Sequence, residues 1–118
     1  MSGLVQYVVV RGDLLRSLSW PVGAVIAQGC HASSAVLHRF GSDQNVHSYF
    51  EHLESMHKVV LEIQDEASLR TLAERLTEGA VDHHLWIEQP EGTPTALACK
   101  PYPKPDVQKY FKGLKLFK

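Results

Sequence analysis

The stretch 20-WPVGAVIAQGCHASSAVLH-38 decides how the rest of the chain is read. Pro21 suits the first turn of a helix, where a missing N–H leaves no hydrogen bond unmade. Apolar residues then recur at helical spacing: Val22, Val25, Ile26, Cys30, Val36, Leu37 and Phe40. Gly41 supplies the stop. The spacing predicts a helix whose Val, Ile and Phe side packs on a sheet. Positions 24, 28 and 31 fall on one line of such a helix, so Ala24, Gln28 and His31 form a stripe with Ala27 beside it. Two readings stand for that stripe. It is a set of half-buried, hydrogen-bonded residues, or it is the wall of a cleft that starts at a helix N-terminus, where free N–H groups favour an anion.

Working outward, 4-LVQYVVV-10 is rich in β-branched residues and breaks at Gly12-Asp13, which predicts a buried strand and then a loop. On the other side Ser42-Asp43 caps a second helix over 43–56, carrying Val46, Tyr49, Phe50 and Leu53. Residues 58–63, KVVLEI, read as the second strand. Asp65 opens a helix on EASLRTLAERLTEG, with Leu69, Leu72, Ala73 and Leu76 on one side and Gly79 at its end. Residues 82–88, DHHLWIE, alternate as a third strand, and Pro90-Glu91-Gly92 turns the chain into a fourth, TALAC at 95–99. The Pro-rich PYPKP at 101–105 stops that strand, 105–112 forms a short helix, and the final LKLF pairs as a short edge. The order β-α-α-β-α-β-β-α predicts one α/β domain over residues 1–118, a mixed four-stranded sheet with helices packed on its faces.

A length of 118 residues suits a single core. With 44% hydrophobic and 21% charged residues the chain is neither disorder-like nor membrane-like. No apolar run approaches the roughly 20 residues that span a bilayer. The N-terminus lacks a basic lead and reaches Arg11 too early for a signal peptide. Two cysteines, Cys30 and Cys99, make neither a disulfide framework nor a metal quartet, and reduced thiols fit a cytoplasmic setting. The net charge of −1 hides an asymmetry. Residues 1–99 hold six basic side chains against twelve acidic ones, whereas 100–118 hold Lys100, Lys104, Lys109, Lys112, Lys115 and Lys118 against Asp106. That basic end is a phosphate-binding surface or a solvated face paired with the acidic body.

Seven histidines raise the question of a metal. His31 and His38 stand two helical turns apart, and the adjacent His83 and His84 point to opposite faces of a strand. No HExxH or Cys/His ligand spacing occurs, and no GxSxG elbow, P-loop or dinucleotide fingerprint, so neither metal nor cofactor is expected.

Four short motifs change the weight of the stripe. Residues 8-VVVRGDL-14 carry VVR-x-DL, 27-AQGCHA-32 carry AQ-x-x-HA, 92-GTPTALACKP-101 carry GT-x-T-x-x-x-x-x-P, and 113-GLKLF-117 is similar to a closing G-x-LKL. In this order and spacing the chain resembles the archaeal and eukaryotic type of peptidyl-tRNA hydrolase over nearly its whole length. Through SWP-x-GA, LW-x-EQPE and PYPK it resembles the divergent peptidyl-tRNA hydrolase domain-containing branch of that family. The resemblance implies a mixed-sheet α/β fold, often a homodimer, and hydrolysis of the ester between a peptide and the tRNA 3′ end. Such chemistry needs an activated water, a stabilised oxyanion and a basic surface.

The motif positions that match are Arg11, Asp13, Gln28, His31, Thr93 and Thr95. The resemblance implies that His31 activates water, Gln28 orients it and Glu88 assists. Arg11, Asp13, Thr93 and Thr95 then contact substrate, with Lys100, Lys104, Lys109, Lys112 and Lys115 of the basic end. The implied partner is tRNA or peptidyl-tRNA in the cytoplasm, away from membranes. Two positions depart from the family pattern. The lysine of GK-x-x-AQ is replaced in 23-GAVIAQ-28 by Ala24, and the acidic D-A-G-x-T loop is shortened to 86-WIEQPEGT-93, where Glu88 is the nearest acid. A second reading therefore stays open: a non-catalytic tRNA- or protein-binding module on the same fold.

Overall fold

Strand β1 (Leu4–Arg11) is the axis of the molecule, and each of its residues is buried. It has neighbours on both edges and helices over both faces, which is why its sequence shows no polar alternation. In the computed structural model, which describes residues 3–118, β2 (Lys58–Ile63) runs parallel to it with Val8 opposite Val60. On the other edge β4 (Thr93–Cys99) runs antiparallel, Val9 opposite Leu97, and β3 (His83–Glu88) pairs antiparallel with β4.

These are the four expected strands, but the sheet has six. The short β5 (Tyr102–Pro103) pairs with Leu4 and Val5 of β1, and β6 (Lys115–Leu116) lies antiparallel beside β2. The order β3-β4-β1-β2-β6 forms the main path, with β5 off it. Two-residue strands are too short for a period of two to be visible, so PYPKP read only as a strand ending.

Helix α1 (Asp13–Arg16) stands where a loop was expected. It is followed by α2 (Val22–Arg39), α3 (Gln44–Glu51), α4 (Glu66–Glu78) and α5 (Lys104–Val107). The expected helix over 43–56 stops at Glu51 and resumes as a 3-10 turn at Leu53–Ser55. The terminal one likewise gives way to a 3-10 turn at Gln108–Phe111. Asp43 and Asp65 cap α3 and α4, accepting from the N–H groups of Asn45 (2.8 Å) and Ser68 (2.9 Å). Among the described residues no helix is long and apolar enough to cross a membrane.

Alternation along β1 sorts the two cores. Val5, Tyr7 and Val9 pack with Leu69, Leu72 and Leu76 of α4 and with Phe111. Val8 and Val10 pack with Val25, Ala32 and Val36 of α2 and with Ala96 and Ala98 of β4. The inward line of α2 is Val25, Gln28, Ala32 and Val36, so the apolar face differs from the one expected. Val22 and Ile26 are 58% and 62% exposed, because they lie roughly a quarter turn or less from Val25 toward the free flank of the helix.

Candidate active site

The β3–β4 hairpin brings the site together. Its turn needs Gly92 at φ +69°, a left-handed conformation that L side chains rarely adopt, and the Gly92 N–H donates to Glu88 O at 2.8 Å. Glu88 then faces Thr93, and Ile87 faces Pro94, but Trp86 faces Ala96. Thr95 is thus the extra residue of a β-bulge. A bulge re-aims one side chain, and here it turns Thr95 to the same face as Ala96, under α2.

There the Thr95 hydroxyl donates to Gln28 Oε1 at 2.7 Å. Gln28 Nε2 donates in turn to the Ala24 carbonyl at 3.1 Å, so both ends of the amide are engaged in a residue only 2% exposed. One residue before Thr95, the carbonyl of Pro94 accepts from Arg11 Nη1 at 3.0 Å. Arg11 holds Asp13 with two further bonds, Nε to Oδ1 at 2.9 Å and Nη2 to Oδ2 at 2.8 Å. Four of the motif residues, Asp13, Arg11, Thr95 and Gln28, therefore lie on one line from the exit of β1, through β4, to the first turn of α2, hydrogen-bonded at every step except the Pro94–Thr95 peptide link.

His31 does not join that line. The stripe fans out along the helix: Ala24 is half-buried, Gln28 buried and His31 exposed. His31 stacks on the indole of Trp86, with ring centroids 4.6 Å apart and planes 18° from parallel. The indole Nε1 donates to Glu88 Oε1 at 2.9 Å. Trp86 thus links the two residues expected to act on water, one from α2 and one from β3. The sequence reading passed over it. The available signal was the strand period of two, which puts His84, Trp86 and Glu88 on one face. His84 lies 6.5 Å from the same indole, and its pKa is held below the ordinary value by burial and by the nearby Arg39 guanidinium.

The basic end is placed elsewhere. Lys100 lies just past the far end of β4, about 17 Å from Thr95 at strand rise, and is buried with its ammonium on Asp43 (2.5 Å) and Asp82 (3.2 Å). It ties α3 to the start of β3 and does not reach the Gln28 line. Lys104, Lys109 and Lys112 are exposed on the segment that packs with Val107 and Phe111 on the α4 side of the sheet, and Lys115 is exposed on the β6 edge. The cluster around Gln28 and Trp86 is on the α2 side, at the opposite edge.

The fold and this line of motif residues define a class. Residues 4–117 match the family Peptidyl-tRNA hydrolase PTH2, and the chain belongs to that family. The human and mouse proteins named "Putative peptidyl-tRNA hydrolase PTRHD1" are each 48% identical to it over 116 residues, 98% of this chain and 83% of theirs. A solved structure of a protein of unknown function from Agrobacterium tumefaciens strain C58 shares the fold, with a TM-score of 0.63 at 15% identity over 100% of both chains.

Proposed function

We propose that the chain hydrolyses the ester joining a peptide to the 3′ end of tRNA, on the shallow face shared by α2 and the β3–β4 hairpin. The observation that carries this reading is the His31–Trp86–Glu88 cluster: an exposed imidazole, 4.6 Å from an indole that also holds a carboxylate. Imidazole is the side chain that exchanges protons near neutral pH. In this reading His31 takes a proton from water as the water oxygen attacks the ester carbonyl. The bond to the tRNA 3′ oxygen then breaks, that oxygen takes the proton, and the peptide leaves with a free carboxyl group. Glu88 favours the imidazolium formed on the way. Gln28 acts as a positioning residue, since its amide is spent on Thr95 and Ala24. The first N–H groups of α2 provide a place for a nucleotide phosphate. Family membership supports tRNA as partner, a cytoplasmic setting and a homodimer.

The test is turnover of an N-acetylated aminoacyl-tRNA by the purified chain. Release is expected to fall about 100-fold or more in His31→Ala. No release above background, with enzyme at the concentration of substrate, overturns the reading. A second reading, a binding module without catalysis, is favoured by one observation: a methyl group, Ala24, occupies the position of the family's lysine. It predicts salt-dependent tRNA affinity with no ester cleavage.

A further inference from the structure

On its free flank, opposite to Trp86, α2 leaves the sheet partly uncovered. Between the helix and β2 lies an open groove of about 440 Å³. Its walls are apolar: Val8 and Val10 of β1, Ile26 and Cys30 of α2, Val60 of β2, and Phe117. Gly29 allows the helix down onto this floor, since a Cβ there would lie 3.3 Å from Val10 Cγ2. The groove follows the helix from Val25 to Ser34, a rise of about 13 Å.

One end is polar and cationic. Lys58 opens β2 opposite Gln6, and although the residue as a whole is exposed, its ammonium turns onto Gln6 Oε1 and onto Ser33 Oγ at 3.2 Å. The Ser33 hydroxyl also donates to Gln6 Oε1, at 3.1 Å. The two hydrogen-bond partners of the ammonium are neutral, the Tyr49 ring centroid lies 5.3 Å from it, and among the described residues no carboxylate lies within ion-pair distance of it. Burial holds the Lys58 pKa below its ordinary value, with Cys30 a smaller opposing influence. The neighbouring Gln6 is fully buried, and its Nε2 has no hydrogen-bond partner. A partly desolvated cation without a counter-ion is unfavourable, and an anion beside it offsets that cost.

We propose that this groove binds a free medium-chain fatty carboxylate, its chain along Val8, Val10 and Val60 and its carboxylate on Lys58 Nζ. A neutral apolar molecule leaves the ammonium uncompensated. A phosphate dianion or nucleotide meets a single cation and otherwise apolar walls. The length of the groove sets the limit on the chain. This inference is independent of the ester-cleaving reading, which uses the other flank of α2.

Cys30 reports occupancy. It is exposed and lines the groove, whereas Cys99 is buried and its thiol pKa is pushed up to about 12 by burial. Alkylation of Cys30 by N-ethylmaleimide, followed by mass spectrometry on the full chain, is expected to slow about tenfold or more in saturating decanoate below its micellar concentration. The same concentration of decanol is expected to protect far less. Lys58→Met should erase the difference between the two, and Lys58→Arg should keep it. No protection by decanoate, or equal protection by decanol in the unaltered chain, overturns the proposal; neither result depends on a variant folding. Protection that rises with protein concentration in the absence of decanoate, together with a dimer in sedimentation, overturns it in favour of a second copy of the chain.

Discussion

Thr95 and Gln28, 67 positions apart, share a buried 2.7 Å hydrogen bond that joins the bulge of β4 to the inward face of α2. Neither side chain faces water, so each is the condition for burying the other. Removing one partner strands a buried polar group at about 1–3 kcal/mol, whereas removing both spares that penalty. The expected result is a Gln28→Leu, Thr95→Val pair whose combined loss of stability in urea is clearly smaller than the sum of the two single losses.

Ala24 is half-buried at the first turn of α2, one turn from Gln28. A lysine there keeps its stem against the helix and carries its ammonium out to the face where the substrate ester would lie. Ala24→Lys is expected to raise N-acetyl-aminoacyl-tRNA hydrolysis about tenfold or more. If a folded variant gains nothing, the shortened loop ahead of Thr93 is the limiting defect.

Trp86 supplies two separable contacts. Trp86→Phe keeps an aromatic face for His31 and removes the indole donor to Glu88. Turnover should drop about tenfold while the urea midpoint stays where it was, since Glu88 is freed to move relative to the imidazole. A merely structural role would lower the midpoint and leave the turnover of the folded variant unchanged.

The Lys100 cluster makes stability depend on pH at both ends. Burial opposes ionisation of Asp43, but the Lys100 ammonium and the N–H groups of Asn45 and Val46 outweigh it, so its pKa lies below 3.8. A depressed carboxylate contributes stability that is full above the unfolded value and is lost as pH falls through the folded one. For Lys100, burial is likewise outweighed, by hydrogen bonds to Asp43 and Asp82, and its pKa lies above 10.5. Its contribution is full below the unfolded value and is lost as pH rises through the folded one. Asp43→Asn should therefore flatten the loss of stability below about pH 4 and lower the alkaline limit, both read from urea midpoints.

The exposed lysines bear on the binding reading. If Lys104, Lys109, Lys112 and Lys115 meet phosphates, changing all four to glutamine should reduce the slope of log affinity for tRNA against log salt by roughly 3. An unchanged slope assigns them to the solvated face on the α4 side and the β6 edge. Lys100, ion-paired and buried, should then be the one lysine of this end whose loss affects folding more than binding.

Much of this was legible in the sequence. The four long strands and the helices α2 and α4 announce themselves because each repeats its period several times. The orientation of α2 was not, because Gln28 becomes an inward residue only through a hydroxyl delivered from a strand 67 positions later. Nor was Thr95 assignable to a face, since strict alternation puts it with Leu97 on the α4 side until the bulge opposite Trp86 and Ile87 is known. Local spacing carries the elements. Which polar side chain meets which is a property of the assembled sheet.

The central place of β1 has a consequence for how the chain is made. This strand is made ahead of both its long neighbours, β2 at residues 58–63 and β4 at 93–99. For most of translation one of its edges has no mate, and an apolar strand with open N–H and C=O groups invites association with other chains. The sheet can close only once β4 has cleared the exit tunnel, so a product truncated ahead of residue 93 should be found with chaperones or in aggregates rather than as a smaller folded protein.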